Sequence, residues 1–557
     1  MFYREVIREK GLYIWLDSEK VSYRPDSVAK IKCNITNMFN RVLQNLSLVF
    51  SIEDSLGSVL YKEHVNVGSL DAGEGFYRVF KWVTPECLIR GFIARVKVYE
   101  GEKYLAGSTL VFDVVRDMSL VPRYGFFATF AADEDVKSRV DRLARFHINF
   151  IQFYDWFEYH GNYTPKLKDY FILRKPVHLD TVREKIRLSR GRGIKCMAYI
   201  AIYAVDERVY SKYPEWALRN REGFPLRFAD WLYLVNPGRE CSFHDFLLEE
   251  LKRSVESFGW NGIHLDQYGE GWTRDAYWKG RRVDVVRGFI EFINDARRSL
   301  NRDVVFNLVD AWPLEAVARE ANASFIYIEV WSYETYASLQ DLIMKARKLS
   351  GKPVVIAAYT DTHEPTVLLL DALIFANQGF RIELGEGNRY LVDPYFPKCR
   401  ELPKPLENKL QNYYDVITRY EEYIYAPDVS RIYGSGIKIL NKNYSYIPKP
   451  DTIQIIPYLK GQKAVIIHLI NFRGISEMKW KSVQPEPVEE RNIILVVPRS
   501  VIHTDSLTVH MVEADKSHEP KKLSYKVNGE LVEINVPSLK YWDIIILAPP
   551  PSRTIQP

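Results

Sequence analysis

Five cysteines in 557 residues, Cys33, Cys87, Cys196, Cys241 and Cys399, leave little for covalent cross-linking. The count is odd and no two are spaced C-x-x-C. That excludes a disulfide framework and a zinc ribbon, with one bridge, Cys33 to Cys87, left open if the first region is a sandwich. Histidine is also sparse, at 11. His147, His160, His178, His264 and His363 form neither H-x-H nor H-E-x-x-H, so no metal site is expected. No G-x-G-x-x-G follows the first strand of the central region and there is no P-loop, so neither nucleotide binding nor any other cofactor is indicated. Neither sign of charge dominates: 76 Lys and Arg stand against 71 Asp and Glu, a net +5. Without a basic run, nucleic acid is not an expected partner. No apolar run is long enough for a membrane helix, and the first residues, MFYREVIREKG, lack the apolar core of a secretory leader. The expectation is a cytoplasmic protein, or a secreted one if a leader is removed. No internal repeat is seen, which removes a repeat scaffold.

What is present is 47% hydrophobic and 26% charged, the balance of a soluble globular protein. One core does not suffice for this length, and several domains are expected. Aromatics reach 14%, with 36 Tyr and 12 Trp. They suit large cores and tyrosine-rich β-regions, or platforms for the C–H faces of sugar rings.

Residues 1–118 alternate in short apolar runs broken by polar turns, as in Ser47–Ile52, Gly91–Tyr99 and Ser108–Val115. This predicts an immunoglobulin-like β-sandwich. Residues 427–557 read the same way, through Thr452–Tyr458, Ala464–Asn471, Asn492–Val497 and Trp542–Leu547, and predict a second all-β sandwich. The tail PPPSRTIQP is expected to be disordered. Between them, over 119–426, short apolar strands alternate with helical patterns such as Asp133–Phe146, Thr181–Arg190 and Asp284–Leu300. The strands are Tyr124–Phe130, Asn149–Trp156, Lys195–Tyr203, Gly262–Asp266, Val304–Asp310, Phe325–Trp331, Pro353–Thr360 and Phe380–Glu386. Eight β-then-α units predict a central (β/α)8 TIM barrel, with a doubly wound open sheet as the alternative.

A barrel of this kind carries its functional residues at the C-terminal ends of its strands. Strand two ends in Tyr154-Asp155-Trp156. Strand four ends in Asp266, inside NGIHLDQYGE with Tyr268. Strand five ends in Asp310, and strand six in Tyr327, Glu329 and Trp331. Tyr359 and Asp361 follow strand seven; Glu383, Gly385 and Glu386 follow strand eight. Any one of these carboxylates can pair with an arginine. Converging from strands two, four and six beside Trp and Tyr, they suit glycoside hydrolysis, which needs two carboxyl groups flanking the scissile bond. His264 lies two residues before Asp266 and shares its face, where it is expected to orient a neighbour rather than bind a metal. On the residues alone, the partner of Asp266 is either Glu329 or Asp310.

Four stretches resemble glycoside hydrolase family 66, the dextranases and cycloisomaltooligosaccharide glucanotransferases: QFYDWFEYH (Gln152–His160), GIHLDQYGE (Gly262–Glu270), IYIEVWSY (Ile326–Tyr333) and ELGEGNRYLVDPYFP (Glu383–Pro397). Their order and the β-region, barrel, β-region layout are similar too. The resemblance implies a retaining mechanism on α-1,6-glucan, with Asp266 as nucleophile and Glu329 as general acid/base. Asp155 would then bind hydroxyls of the sugar in the nucleophile's subsite, with Trp156 beside it. Tyr327 and Trp331 share the parity of Glu329 and would wall it. Tyr154, His264, Tyr268, Asp310, Glu386 and Tyr395 complete the expected substrate-binding rim. The implied partner is a polysaccharide or oligosaccharide of α-1,6-linked glucose. Cyclising members resemble dextranases but carry an additional carbohydrate-binding insertion within the barrel region, for which this chain has no room, so endo-hydrolysis is the expected reaction. Another α-glycosidase and a non-catalytic carbohydrate-binding protein are the remaining readings.

Overall fold

The computed structural model describes residues 11–550 apart from 273, 462 and 505; the end of the PPPSRTIQP tail, 551–557, lies outside the described residues. At the centre are eight parallel strands: β1 Tyr124–Phe127, β2 Phe150–Phe153, β3 Lys195–Ala201, β4 Gly262–Asp266, β5 Asp303–Val309, β6 Ile326–Glu329, β7 Val354–Ala357 and β8 Gly379–Arg381. Each pairs with its neighbour in chain order. The ring closes where Phe126 N donates to Leu384 O at 3.1 Å and Phe126 bridges Gly385. A side chain at Gly385 would meet the Phe126 ring at 2.5 Å, so only glycine lets the two backbones approach there. Eight helices cover the ring: α1 Val136–Arg145, α2 Leu179–Gly191, α3 Ser242–Phe258, α4 Val285–Leu300, α5 Leu314–Glu320, α6 Tyr336–Ser350, α7 Glu364–Ala376 and α8 Lys404–Arg419. The strands read as apolar runs because a parallel barrel buries both faces, and the barrel core is continuous from Tyr124 to Phe380. Most strands are shorter than their apolar runs, since the chain leaves the ladder to turn while its side chains stay buried.

Two antiparallel sheets precede the barrel. One has three strands (Leu12–Ser18, Val28–Asn37, Gly75–Val83). The other has four (Leu43–Asp54, Val59–Leu70, Ile89–Glu100, Lys103–Val115). Their inner faces meet through Phe50 stacked on Phe80, with centroids 4.0 Å apart. All five cysteines are free, so the Cys33–Cys87 bridge is not formed. Cys33 points into the core with Ile31 and Ile35, whereas the Cys87 thiol faces Val114 O at 3.5 Å. After the barrel, a seven-stranded and a four-stranded sheet enclose a core that includes Ile455, Ile467, Leu495, Ile534 and Ile545.

Buried charges join these regions. Arg123 at the barrel entrance binds Asp113 of the first region (2.6 Å) and Glu421 beyond α8 (3.1 Å), all three out of contact with water. Arg419 at the end of α8 and Arg95 of the first region both hold Glu519 of the last, at 2.9 and 2.8 Å. Removing one member of such a cluster leaves the others buried and unpaired, so the barrel is held firmly between its neighbours.

Two small sheets rise at the mouth of the barrel. Their turns place two successive non-glycine residues in the left-handed region: Leu173 and Arg174 (φ 47° and 63°) in one, Ala229 and Asp230 (φ 51° and 63°) in the other. This is the geometry of a tight hairpin turn that normally asks for glycine or asparagine. The strained turns carry Leu173, Phe228 and Trp231 to the edge of the central cavity. No helix among the described residues is long and apolar enough to cross a membrane.

Candidate active site

A cavity of about 520 Å³ opens at the C-terminal ends of the strands. Asp266, the last residue of β4, opens partly onto it. Its Oδ2 accepts the Tyr199 hydroxyl at 2.5 Å and its Oδ1 accepts Asn307 Nδ2 at 2.8 Å. The same amide nitrogen donates to Glu329 Oε2 at 3.0 Å, and Tyr359 OH donates to Glu329 Oε1 at 2.8 Å. One carboxamide therefore bridges two carboxyl groups. Its hydrogens point about 120° apart, so bonds of 2.8 and 3.0 Å hold the two carboxylate oxygens about 5 Å from each other.

The electrostatics separate the pair. Burial pushes Asp266 upward, but hydrogen bonds from Tyr199, Asn307 and the Gln267 backbone oppose it. Glu329 is pushed up to about 7, first by burial and then by the negative charge of Asp266, against weaker pulls from Asn307, Tyr359 and Trp331. The charge on Asp266 raises Glu329, so of the pair Glu329 is the one that holds the proton. A third carboxyl, Asp155, is pushed up to about 6 by burial and Asp266, while Lys175 pulls it down.

Five buried polar atoms on cavity-lining residues have no hydrogen-bond partner among the described residues: Gln152 Oε1, Asp155 Oδ2, His160 Nδ1, Tyr268 OH and Asn307 Oδ1. Buried polar groups are nearly always satisfied, so these five are open to water or to a polar ligand in the cavity. Tyr154, stacked on Phe396 at 4.6 Å, and Tyr395 form one wall. Tyr203 and Phe228, 5.8 Å apart, begin another, which continues to the half-exposed Trp272. His264 lies on the floor. Its Nδ1 meets Tyr124 OH at 3.0 Å, its ring abuts Tyr327 at 4.6 Å, and burial pushes it down to about 3, so it stays neutral. Among the described residues no group of three His, Cys, Asp or Glu is arranged to hold a metal.

The cavity thus brings together Tyr154, Asp155, His264, Asp266, Tyr268, Tyr327, Glu329, Trp331 and Tyr395. Three residues expected with them lie elsewhere. Asp155 has φ 49°, which breaks the strand alternation and turns Trp156 away from the mouth. Trp156 is 0% exposed, packed 4.7 Å from Trp260 and 5.0 Å from Phe258. Glu386 is buried behind the rim, where it accepts Ala128 N, Thr129 N and Thr129 Oγ1 and pairs with Lys185 of α2 at 2.9 Å. Burial raises it, yet Lys185 and these donors hold it below the usual carboxylate range. Asp310 spends its carboxylate on Trp331 N (3.1 Å), Ser332 N (2.8 Å) and Ser332 Oγ (2.6 Å), so it fixes the loop that carries Trp331. Tyr359, read at the end of strand seven, is there too, and three residues not expected are central: Asn307, Tyr199 and Gln152. Asn307 and Gln152 had a legible signal, each being a lone amide inside an apolar strand. Tyr199 is in register with His264, which only the pairing of β3 with β4 reveals.

The fold and the paired carboxyl groups define a barrel enzyme of the glycoside-cleaving kind. The chain matches the model of glycosyl hydrolase family 66 over residues 19–546 and belongs to that family. A cycloisomaltooligosaccharide glucanotransferase from Niallia circulans is 22% identical over 708 residues, covering 95% of this chain and 71% of that protein. A second from the same organism is 27% identical over 385 residues, covering 62% of this chain and 38% of that protein. Among solved structures, a Paenibacillus sp. cycloisomaltooligosaccharide glucanotransferase complexed with cycloisomaltoheptaose has a TM-score of 0.87 at 20% identity, covering 95% of this chain and 99% of that chain.

Proposed function

We propose that this protein is a retaining glycoside hydrolase that cleaves internal α-1,6-glucosidic bonds of dextran-like glucans. The observation that carries the reading is the single amide that donates to both carboxyl groups, a bridge whose ideal geometry sets their nearest oxygens about 5 Å apart. Retaining pairs stand at about 5–5.5 Å, whereas inverting pairs leave about 6.5–9.5 Å for a water. Asp266, its charge stabilised by Tyr199 and Asn307, attacks the anomeric carbon. Glu329 gives its proton to the glycosidic oxygen as that bond breaks, and a glycosyl ester on Asp266 results. Water then attacks the same carbon, Glu329 takes the water's proton, and Asp266 leaves as a carboxylate. Negative charge thus moves from Asp266 to Glu329 and back. Asn307 donates to both, so it stabilises the charge at either end without moving. The orphaned groups of Gln152, Asp155, His160 and Tyr268 supply hydrogen bonds for sugar hydroxyls.

The α-1,6-glucan is supported by the isomaltooligosaccharide rings in the relatives' names. Hydrolysis is favoured over cyclisation by what this chain omits. The first relative aligns over 708 residues against a chain of 557, so it holds segments without a counterpart here. The described insertions within the barrel are sheets of two or three short strands. Proton NMR of dextran digestion tests the mechanism: the α-anomer is expected first, with linear products. A β-anomer appearing before mutarotation would mean that Asp266 activates water, and cyclic products would make the protein a transferase.

A further inference from the structure

Because the acid protonates the leaving oxygen, the departing sugar must lie beside Glu329, on the side of β6 and β7. The barrel does not build that side alone. Residues 472–489, which carry no helix or strand beyond a single bridge at Lys479, leave the C-terminal sheets and lie along the rim after β6. They are anchored at several points. Trp480 is fully buried and donates Nε1 to Tyr333 O at 2.6 Å. Tyr336 N donates to Met478 O at 3.0 Å, Thr366 Oγ1 to Ser482 O at 3.1 Å, and Gln484 N to Thr366 Oγ1 at 3.0 Å. Long segments without secondary structure are either functional or linkers, and these anchors hold this one against the rim.

These anchors fix Lys481 between them. Its ammonium lies 5.4 Å from the Trp331 ring and 5.0 Å from the Trp480 ring. No carboxylate pairs with it among the described residues. Trp331 lines the cavity, remains 40% exposed, and sits 5.7 Å from Tyr359, whose hydroxyl donates to Glu329. We propose that Trp331 and Lys481 form the acceptor subsite, so that the C-terminal region governs how often the glycosyl-enzyme passes its sugar to another sugar instead of water. The indole takes the C–H face of the acceptor and the ammonium donates to its hydroxyls. In transfer, an acceptor hydroxyl attacks the anomeric carbon, Glu329 takes the hydroxyl proton, and Asp266 departs as a carboxylate. The inference rests on the retaining reading above.

The test supplies α-isomaltosyl fluoride as donor and isomaltotriose as acceptor, and measures the ratio of transfer product to free isomaltose. Lys481→Ala is expected to lower that ratio about fivefold to tenfold, the loss of one charge-assisted hydrogen bond at a wet site. Lys481→Arg, which keeps a donor, should retain most of it. Val483→Ser, on the same segment and exposed, should match the wild type. An unchanged ratio in Lys481→Ala, or an equal fall in Val483→Ser, overturns the proposal while leaving the retaining reading intact. A wild-type protein that leaves the fluoride unconsumed overturns both.

Discussion

Asn307→Ala removes the one donor that the two carboxyl groups share. In the wild type, Asn307 opposes the upward push that burial gives Asp266 and Glu329. Without it both acids weaken, so both limbs of the pH profile of kcat/KM should move to higher pH. The wild-type basic limb is expected near pH 7, where Glu329 loses its proton. Each carboxyl group keeps one phenol donor, Tyr199 on Asp266 and Tyr359 on Glu329, so both limbs move in the same direction. A hydrogen bond to a charged group is worth about 1.5–3 kcal/mol, and one such bond serves whichever carboxylate holds the charge. Its loss from the transition state corresponds to about a tenfold to 150-fold fall in kcat/KM at the optimum. The assay is initial rates on a defined isomaltooligosaccharide, followed from acid pH to about two units above the basic limb, with urea unfolding to confirm that the variant is folded. A variant with the wild-type rate and unmoved limbs would show that Asn307 does not couple the carboxyl groups.

Asp266→Asn and Glu329→Gln should each lose nearly all turnover and keep their fold, since each amide replaces a carboxyl group that burial disfavours. Glu329 has a raised folded pKa, so its contribution to stability is fully present below its unfolded value and is lost as pH rises through about 7; urea unfolding should therefore find Glu329→Gln gaining on the wild type between pH 5 and pH 8. Glu386→Gln removes one of the two carboxylates on Lys185, which keeps Glu134 at 2.6 Å and Thr129 O at 2.5 Å, and should cost about 1.5–3 kcal/mol in urea unfolding with KM unchanged; a raised KM at unchanged stability would return Glu386 to the substrate rim.

The barrel was legible because each of its strands is a short apolar run bounded by a helical pattern, as in any parallel sheet buried on both faces, and eight such units favour a closed ring over an open sheet. The positions of Asp266 and Glu329 followed, since a barrel exposes its strand ends on one rim. What was illegible depends on contacts made by distant segments. Lys185, which occupies Glu386, is 201 residues away on α2. Lys481 reaches Trp331 from beyond the barrel. Trp156 was misassigned for a local reason, since strand parity predicts its direction only if Asp155 stays extended, and it does not. Asn307 and Gln152 were readable in principle, because an amide in an apolar strand must find partners or remain costly.

The choice between Glu329 and Asp310 shows why burial and composition do not decide a catalytic role. Both are carboxylates at adjacent strand ends, and both accept hydrogen bonds at each oxygen. Asp310 accepts two backbone N–H groups and the Ser332 hydroxyl, all from the loop it fixes. Those three bonds commit Asp310 to the loop that presents Trp331, and it does not line the cavity. Glu329 accepts one side-chain amide and one phenol. The Tyr359 hydroxyl can turn from donor to acceptor when Glu329 gains a proton, and turn back when the proton leaves. A general acid must also face the bond it protonates, and of the two carboxyl groups only Glu329 lines the cavity and shares the Asn307 amide with Asp266.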